Sequence, residues 1–181
     1  MKLFFDRLFR AAKLDVQLFN EVAADPKAMF QSMMAVFVYS AASAYGGFGR
    51  AGVSGINFGM VVTVFGWYVW AFSTYFIAAR ILPEGQTGGD RKSVLRAMGF
   101  ATAPGLIRLL ALIPDLGGAV FVVASIWMIV ASVVAIKRSL NFESNARPAA
   151  ACIIGWIISA VFQGLVYVAL LSVFGIESKP I

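Results

Sequence analysis

The sequence has no histidine, one cysteine and few charged residues, and each scarcity excludes a class of function. Without histidine the chain lacks the commonest general base and the commonest imidazole metal ligand. The single thiol, Cys152, excludes an internal disulfide and offers no metal-ligand spacing. The carboxylates are few, unpaired and outside the long apolar stretches. We therefore expect a non-enzymatic protein without a resident metal or cofactor.

Charged residues make up 13% of the 181 residues, and hydrophobic residues make up 60%. Soluble domains carry about 25% charged residues, so lipid must be part of the solvent here. A helix crosses a bilayer with about 20 apolar residues. Five stretches approach or exceed that length, and they cover residues 28–48, 58–82, 97–113, 118–136 and 149–174. The sequence predicts an all-α integral membrane bundle of five transmembrane helices in a single domain, residues 1–181.

The positive charges predict the orientation of these spans. Of the 15 Lys and Arg residues, twelve lie before the first span, between the second and third, or between the fourth and fifth. Only Arg50 and Lys179 lie on the other side, and Arg108 falls inside a span. Because cytoplasmic loops carry the excess of Lys and Arg, we expect a cytoplasmic N-terminus and an outside C-terminus. The same distribution accounts for the net charge of +6, so no nucleic-acid partner is expected.

Residues 1–25 carry apolar side chains at helical spacing, interleaved with Arg7, Arg10 and Lys13. This pattern predicts one amphipathic helix that lies in the cytoplasmic interface of the bilayer. A helix packed against the cytoplasmic ends of the bundle is the alternative. Charges also interrupt any signal-peptide core, so we expect the first span to serve as the targeting signal of an uncleaved chain.

The third stretch, GFATAPGLIRLLALIP at residues 99–114, combines a proline with a charge. Pro104 cannot donate to the carbonyl of Phe100, so the helix is expected to kink or open near this position. Gly99 and Gly105 flank the break and are expected to loosen it further. Pro114 ends the stretch.

Arg108 lies one turn beyond Pro104, where an isolated charge costs about 2.5–3.5 kcal/mol even on the lenient insertion scale. In a regular helix Asp115, seven residues on, would share its face at about 10 Å. Arg108 is expected either to snorkel to the outer headgroups, or to cap freed carbonyls, or to hold an anionic group such as a lipid phosphate. We take Gly99, Pro104, Gly105, Arg108, Pro114 and Asp115 as the candidate ligand or structural site.

Small residues predict where helices touch. Ala151, Gly155 and Ser159 recur at every fourth position of the fifth span, which permits close backbone approach. The face is expected to pack within the monomer, with a homodimer seam as the alternative. Trp67 and Trp70 lie near the middle of the second span and Trp127 near the middle of the fourth, which predicts interhelical packing or cavity lining. The second span has five further aromatic residues: Phe65, Tyr68, Phe72, Tyr75 and Phe76. We expect them to fill the core or, alternatively, to form a lipid groove.

Four segments together resemble the bacterial branch of the Yip (Ypt-interacting protein) family: EVAADPKAMFQSM, RAMGFATAPGLIRLLALIPDLGG, IWMIVASVVAIKRSLNFESNARPAA and IIGWII. The resemblance covers about residues 20–175, and its most specific part is the GFA-x-AP…IP core. It implies a five-span protein with a cytoplasmic N-terminus in the bacterial inner membrane. Eukaryotic members are implicated in vesicle traffic and bind prenylated Rab GTPases. Those members carry a DLYGP-like N-terminal motif that this chain lacks.

The residues and the resemblance favour a membrane protein that binds or organises lipid, anionic lipid in particular, or another membrane protein or a second copy of itself. The alternative is a small transporter, channel or lipid-translocating protein that uses the interrupted third span and Arg108. A polar cavity around Arg108, as opposed to a peripheral position, is the observation that would favour a ligand site.

Overall fold

The computed structural model describes residues 1–48, 52–84, 88–113 and 115–174, and these residues form an all-α structure. Seven α-helices follow one another along the chain: α1 (Lys2–Ala12), α2 (Val16–Ala24), α3 (Ala28–Phe48), α4 (Gly52–Phe76), α5 (Arg91–Phe100), α6 (Gly117–Ser139) and α7 (Ala146–Phe174). A π-helical turn, Ile77–Ile81, extends α4, and a 3₁₀ segment, Ala103–Leu112, follows α5.

Within the described ranges, four helical stretches are long and apolar enough to cross a membrane: Gly52–Ile81, Arg91–Leu112, Gly117–Ser139 and Ala146–Ala169. They correspond to the second to fifth predicted spans. The remaining long helix, α3, has the predicted bounds but is not among the four. Its polar side chains, such as Gln31 and Ser32, make it less apolar than the others.

The N-terminal segment is two helices, so the prediction of one continuous helix over residues 1–25 is wrong. Leu14 adopts a left-handed backbone conformation, with φ of 61°, and this ends α1. Asp15 then caps α2, because its carboxylate accepts from the backbone N–H groups of Gln17 and Leu18. Arg10 holds the two helices together, and its guanidinium donates to Asp15 at 2.7 Å and to both carboxylate oxygens of Glu21.

The α1–α2 hairpin packs against the rest of the bundle. Phe4 and Leu8 of α1 and Phe19 of α2 are buried in a cluster that also contains Phe100. Arg96 of α5 donates to the backbone carbonyls of Val22 and Ala23, the last turn of α2. A cation at this position satisfies carbonyls that the helix leaves unpaired.

The bundle has two ends, which we name by the helices that begin there. The proximal end is where α3, α5 and α7 begin, next to the hairpin, and the distal end is where α4 and α6 begin. The hydroxyl of Ser32, early in α3, donates to the carbonyl of Arg96 in α5 at 2.9 Å. The 3₁₀ segment continues alongside the distal half of α3, and α6 returns beside it. α7 packs mainly against α4.

Candidate functional site

The third predicted span is interrupted, as its proline predicts. α5 begins after Asp90, whose carboxylate accepts from the N–H of Ser93, and ends at Phe100. Two residues later the chain continues as a 3₁₀ helix, with Pro104 in its first turn. Thr102 stabilises the junction, because its hydroxyl donates to the carbonyl of Gly99 at 2.7 Å. This interruption of the α-helix is confirmed, and it sets the direction of the residues beyond it.

Arg108 projects from the 3₁₀ segment into the bundle and is only 7% exposed. Its Nη1 donates to the phenolic oxygen of Tyr39 at 2.7 Å and to the hydroxyl oxygen of Ser43 at 3.0 Å. Its Nη2 donates to the hydroxyl oxygen of Ser125 at 2.9 Å. The guanidinium also lies over the ring of Phe121, 4.0 Å from the centroid. The predictions of a snorkelling arginine and of a carbonyl cap are therefore both wrong.

The buried guanidinium has no counter-ion among the residues that the structure describes, since all its hydrogen-bond acceptors are neutral hydroxyls. Asp115 does not supply one. The helix ends at Leu112, and Asp115 lies exposed in the following turn with φ of 67°. The predicted shared face of Arg108 and Asp115 is therefore wrong, because 3₁₀ winding replaces the regular helix on which it depends.

Two of the five N–H donors of Arg108 have no acceptor among the described residues. The Nε atom is buried and makes no hydrogen bond, and Nη2 uses one of its two hydrogens on Ser125. Nε and Nη2 form one edge of the planar guanidinium, the edge that pairs with both oxygens of a carboxylate or phosphate. Arg108 therefore keeps two unused N–H donors, one on Nε and one on Nη2.

A cavity of about 420 Å³ opens beside Arg108. Tyr39, Ser43 and Ser125 also line it, so the polar cluster forms one part of its wall. Much of the remaining lining is aromatic, including Trp67, Trp70, Phe121 and Trp156. The volume lies in the range of small-molecule sites, and an apolar wall with a few convergent polar groups is typical of them. Arg108 therefore faces a cavity, the arrangement that favours a ligand site.

The two glycines of the site allow close packing, a role different from the loosening that the sequence predicts. A Cβ at Gly99 would overlap the hydroxyl of Ser32. A Cβ at Gly105 would lie 2.6 Å from both the sulfur of Met128 and the ring of Tyr39. Gly105 thus lets the chain pass directly behind Tyr39, a partner of Arg108. Pro114 lies outside the described residues.

The small-residue face of α7 packs against α4 within one chain. Ala151 and Ser159 are buried, and Ser159 donates to the carbonyl of Gly66 at 2.7 Å. A Cβ added at Gly155 would have the side chain of Thr74 in α4 as its nearest contact, so the two helices lie close together at this glycine. The predicted packing within the monomer is therefore present for all three residues.

The aromatic residues of α4 divide between two environments. Trp67 and Trp70 are buried, and their indole N–H groups donate to the carbonyls of Met98 and Cys152. Trp127 of α6, by contrast, is 38% exposed and does not line the cavity. Four others form an exposed face of α4, so core filling is the wrong prediction for them, and they are Phe65, Tyr68, Phe72 and Phe76. Arg91 lies on this face, where its Nη2 donates to the hydroxyl of Tyr68 at 2.7 Å.

The sequence did not single out Tyr39 or assign Ser43 and Ser125 to Arg108. These residues come from α3 and α6, and their sequence separations from Arg108 are 69, 65 and 17. The one available signal was that each is a hydroxyl residue inside an apolar stretch. In the described ranges, no group of three or more histidine, cysteine or acidic side chains is placed to hold a metal ion. The chain matches no protein-family model, no curated protein and no solved structure.

Proposed function

We propose that the protein is a non-enzymatic integral membrane protein that crosses the bilayer five times, with the N-terminus in the cytoplasm and the C-terminus outside. The four apolar helical stretches and the twelve-to-two division of positive charges support this topology. α3, the first predicted span, would complete the five, since it packs against α4, α5 and the 3₁₀ segment. The Yip-like segments favour the bacterial inner membrane.

The α1–α2 hairpin would then lie at the cytoplasmic surface of the bilayer. α1 buries Phe4 and Leu8 in the bundle, but Phe5 and Phe9 on its other side are each 61% exposed. Lys13 lies over the ring of Phe9, with its ammonium 4.2 Å from the centroid. Aromatic side chains beside a cation are the composition of an interfacial helix that contacts anionic lipid.

We propose that the function of the bundle is to bind an anionic group, a phosphate or carboxylate, in the cavity beside Arg108. One observation carries this proposal: Arg108 is only 7% exposed, and in the described part of the chain its guanidinium has only neutral hydroxyl partners. Removing a charge from water costs several kcal/mol unless an opposite charge compensates it. A bound anion would provide that compensation and would accept from the donor that Nη2 keeps beside Ser125.

The geometry favours a binding site over a conduit, the alternative function. The lining residues lie between the middle of the bundle and its distal end, such as Tyr39 and Ser43 of α3 and Phe121 and Ser125 of α6. The cavity therefore does not extend to the proximal end. We expect proteoliposomes to show the same anion flux and lipid scrambling as protein-free vesicles.

Native mass spectrometry of the detergent-purified protein tests the site. The protein is incubated with phosphatidylglycerol, with phosphatidylcholine or with inorganic phosphate. Comparing the two lipids tests the effect of headgroup charge, and comparing phosphatidylglycerol with inorganic phosphate tests whether the anion must belong to a lipid. We expect wild type to retain an anionic species and Arg108→Leu to lose it. Arg138→Leu is the matched control, because Arg138 is an exposed cation at the proximal end of α6. Equal retention by all three proteins would overturn the proposal.

A further inference from the structure

The two sides of the Arg108 cavity differ in exposure. On the α3 and α4 side, Tyr39, Ser43 and Trp67 are all buried. On the α6 and α7 side, Phe121 and Trp156 are 40% and 38% exposed, and both still line the cavity. The cavity therefore reaches the surface of the bundle between α6 and α7.

The packing of α7 explains this opening. At the proximal end Cys152 of α7 and Ile136 of α6 are fully buried in one hydrophobic cluster. Farther along α7, the buried residues Gly155 and Ser159 contact α4 instead. Between residues 153 and 169, these two are the only buried residues of α7. Towards the distal end, α7 therefore follows α4, and none of the described residues covers its other side next to α6.

The surface around the opening is apolar. On α6 the neighbouring exposed residues are Val122 and Ile126, and on α7 they are Ile157, Val161 and Leu165. In a membrane-spanning bundle such a surface faces hydrocarbon. A ligand that reaches Arg108 through this opening therefore comes from the bilayer and not from water.

We propose that the ligand is a membrane lipid with an anionic headgroup, which enters sideways between α6 and α7. The headgroup occupies the cavity at Arg108, and the acyl chains remain in the bilayer outside the opening. The cavity volume of about 420 Å³ suits a headgroup with the first part of its chains. Charge complementarity with Arg108 selects the anionic class. This inference rests on the proposed anion site and names its ligand and its route of entry.

Gly164 provides a test of the route. It lines the cavity and is exposed, and a Cβ at this position meets no atom within 4 Å. Gly164→Trp would therefore place a large side chain at the cavity wall, and its Cβ would meet no packed neighbour. Gly118→Trp is the matched control, because Gly118 of α6 is equally free of contacts and does not line the cavity.

Each protein is reconstituted in nanodiscs that contain phosphatidylglycerol, and the lipid retained after extraction is measured by native mass spectrometry. Glycerol phosphate, added from water, is the second probe. We expect Gly164→Trp to lose the phosphatidylglycerol that wild type and Gly118→Trp retain, with unchanged unfolding midpoints. Glycerol phosphate should not replace the lipid.

The outcomes separate this inference from the proposed anion site. If retention of phosphatidylglycerol depends on Arg108 but is unchanged in Gly164→Trp, entry of the lipid between α6 and α7 is overturned. Arg108-dependent binding of glycerol phosphate in place of lipid would overturn the lipid assignment while leaving the anion site in force. If neither probe bound in an Arg108-dependent way, the proposed anion site itself would fail.

Discussion

The Nη1 atom of Arg108 and the phenolic oxygen of Tyr39 lie 2.7 Å apart inside the bundle, where the 3₁₀ segment passes α3. The guanidinium carbon also lies 5.4 Å from the centroid of the Tyr39 ring. Tyr39 therefore both accepts a hydrogen bond from the cation and covers it. This pair joins α3 to the third predicted span at the site where the ligand is proposed to bind.

Tyr39→Phe should destabilise the protein by about 1–3 kcal/mol, because it leaves a buried charged donor without one of its acceptors. The ring is kept, so the packing against Gly105 stays the same. Equilibrium unfolding in detergent measures the loss. Tyr45→Phe is the control, since Tyr45 lies on the same helix and is 46% exposed. Equal effects of the two substitutions would contradict the importance of the Arg108 contact.

Gly99→Ala should cost about 1–3 kcal/mol through overpacking, since the new methyl group meets the side chain of Ser32 and lies 2.9 Å from its carbonyl oxygen. Gly118→Ala adds the same group in open space and should be neutral or slightly stabilising. Thermal unfolding of both variants checks this. Combining Gly99→Ala with Ser32→Gly should recover part of the lost stability. If the two destabilisations instead add fully in the double variant, the contact between these residues is contradicted.

Acid should loosen the α1–α2 hairpin. The hydrogen bonds from Arg10 lower the pKa values of Asp15 and Glu21. A carboxylate with a lowered folded-state pKa stabilises the fold above its unfolded pKa, about 3.9 for Asp and 4.3 for Glu. That contribution is lost as the pH falls through the lowered folded values. Stability of the hairpin should therefore hold at neutral pH and decline below about pH 4.

Hydrogen exchange of the α1 and α2 amides, corrected for intrinsic rates, measures this decline. Arg10→Gln should weaken protection at neutral pH and flatten its dependence on acid. Lys2→Gln, a change at an exposed cation outside the pairs, should keep the wild-type profile. An unchanged profile in Arg10→Gln would show that the ion pairs do not hold the hairpin.

The topology can be checked with single cysteines at the two ends of the bundle. Leu116→Cys, exposed in the turn before α6, should react with a membrane-impermeant maleimide in intact cells. Lys2→Cys should react only after the membrane is permeabilised. The native thiol of Cys152 is fully buried and should give little background. The reverse labelling pattern would invert the proposed orientation.

The sequence predicted those features that depend on local composition. The apolar stretches predicted the long helices, and Pro104 predicted the interruption of the third one. The sequence also indicated that Arg108 is unusual, because a charged residue within an apolar stretch is energetically costly. Its three partners were not predictable, because they depend on how α3 and α6 pack against a 3₁₀ segment.

Two failures have local physical causes. Nothing in the type of residue at position 14 indicates a left-handed backbone, since leucine rarely adopts one. The break between α1 and α2 is instead stabilised by Asp15 as a cap and by Arg10 across the hairpin. The position of Asp115 was misjudged because the segment after Pro104 winds as a 3₁₀ helix and ends at Leu112, which a count of 3.6 residues per turn does not describe.

The 3₁₀ segment also changes the length of the third predicted span. Ten residues rise about 20 Å in 3₁₀ geometry but only about 15 Å as α-helix. With α5, also ten residues long, a collinear path would extend about 35 Å, more than the hydrocarbon thickness of about 30 Å. On a collinear path, the predicted span with the fewest apolar residues would therefore still be long enough to cross the hydrocarbon region. Rewinding it as α-helix would retract its distal end by about 5 Å and carry Arg108 away from Ser43 and Ser125.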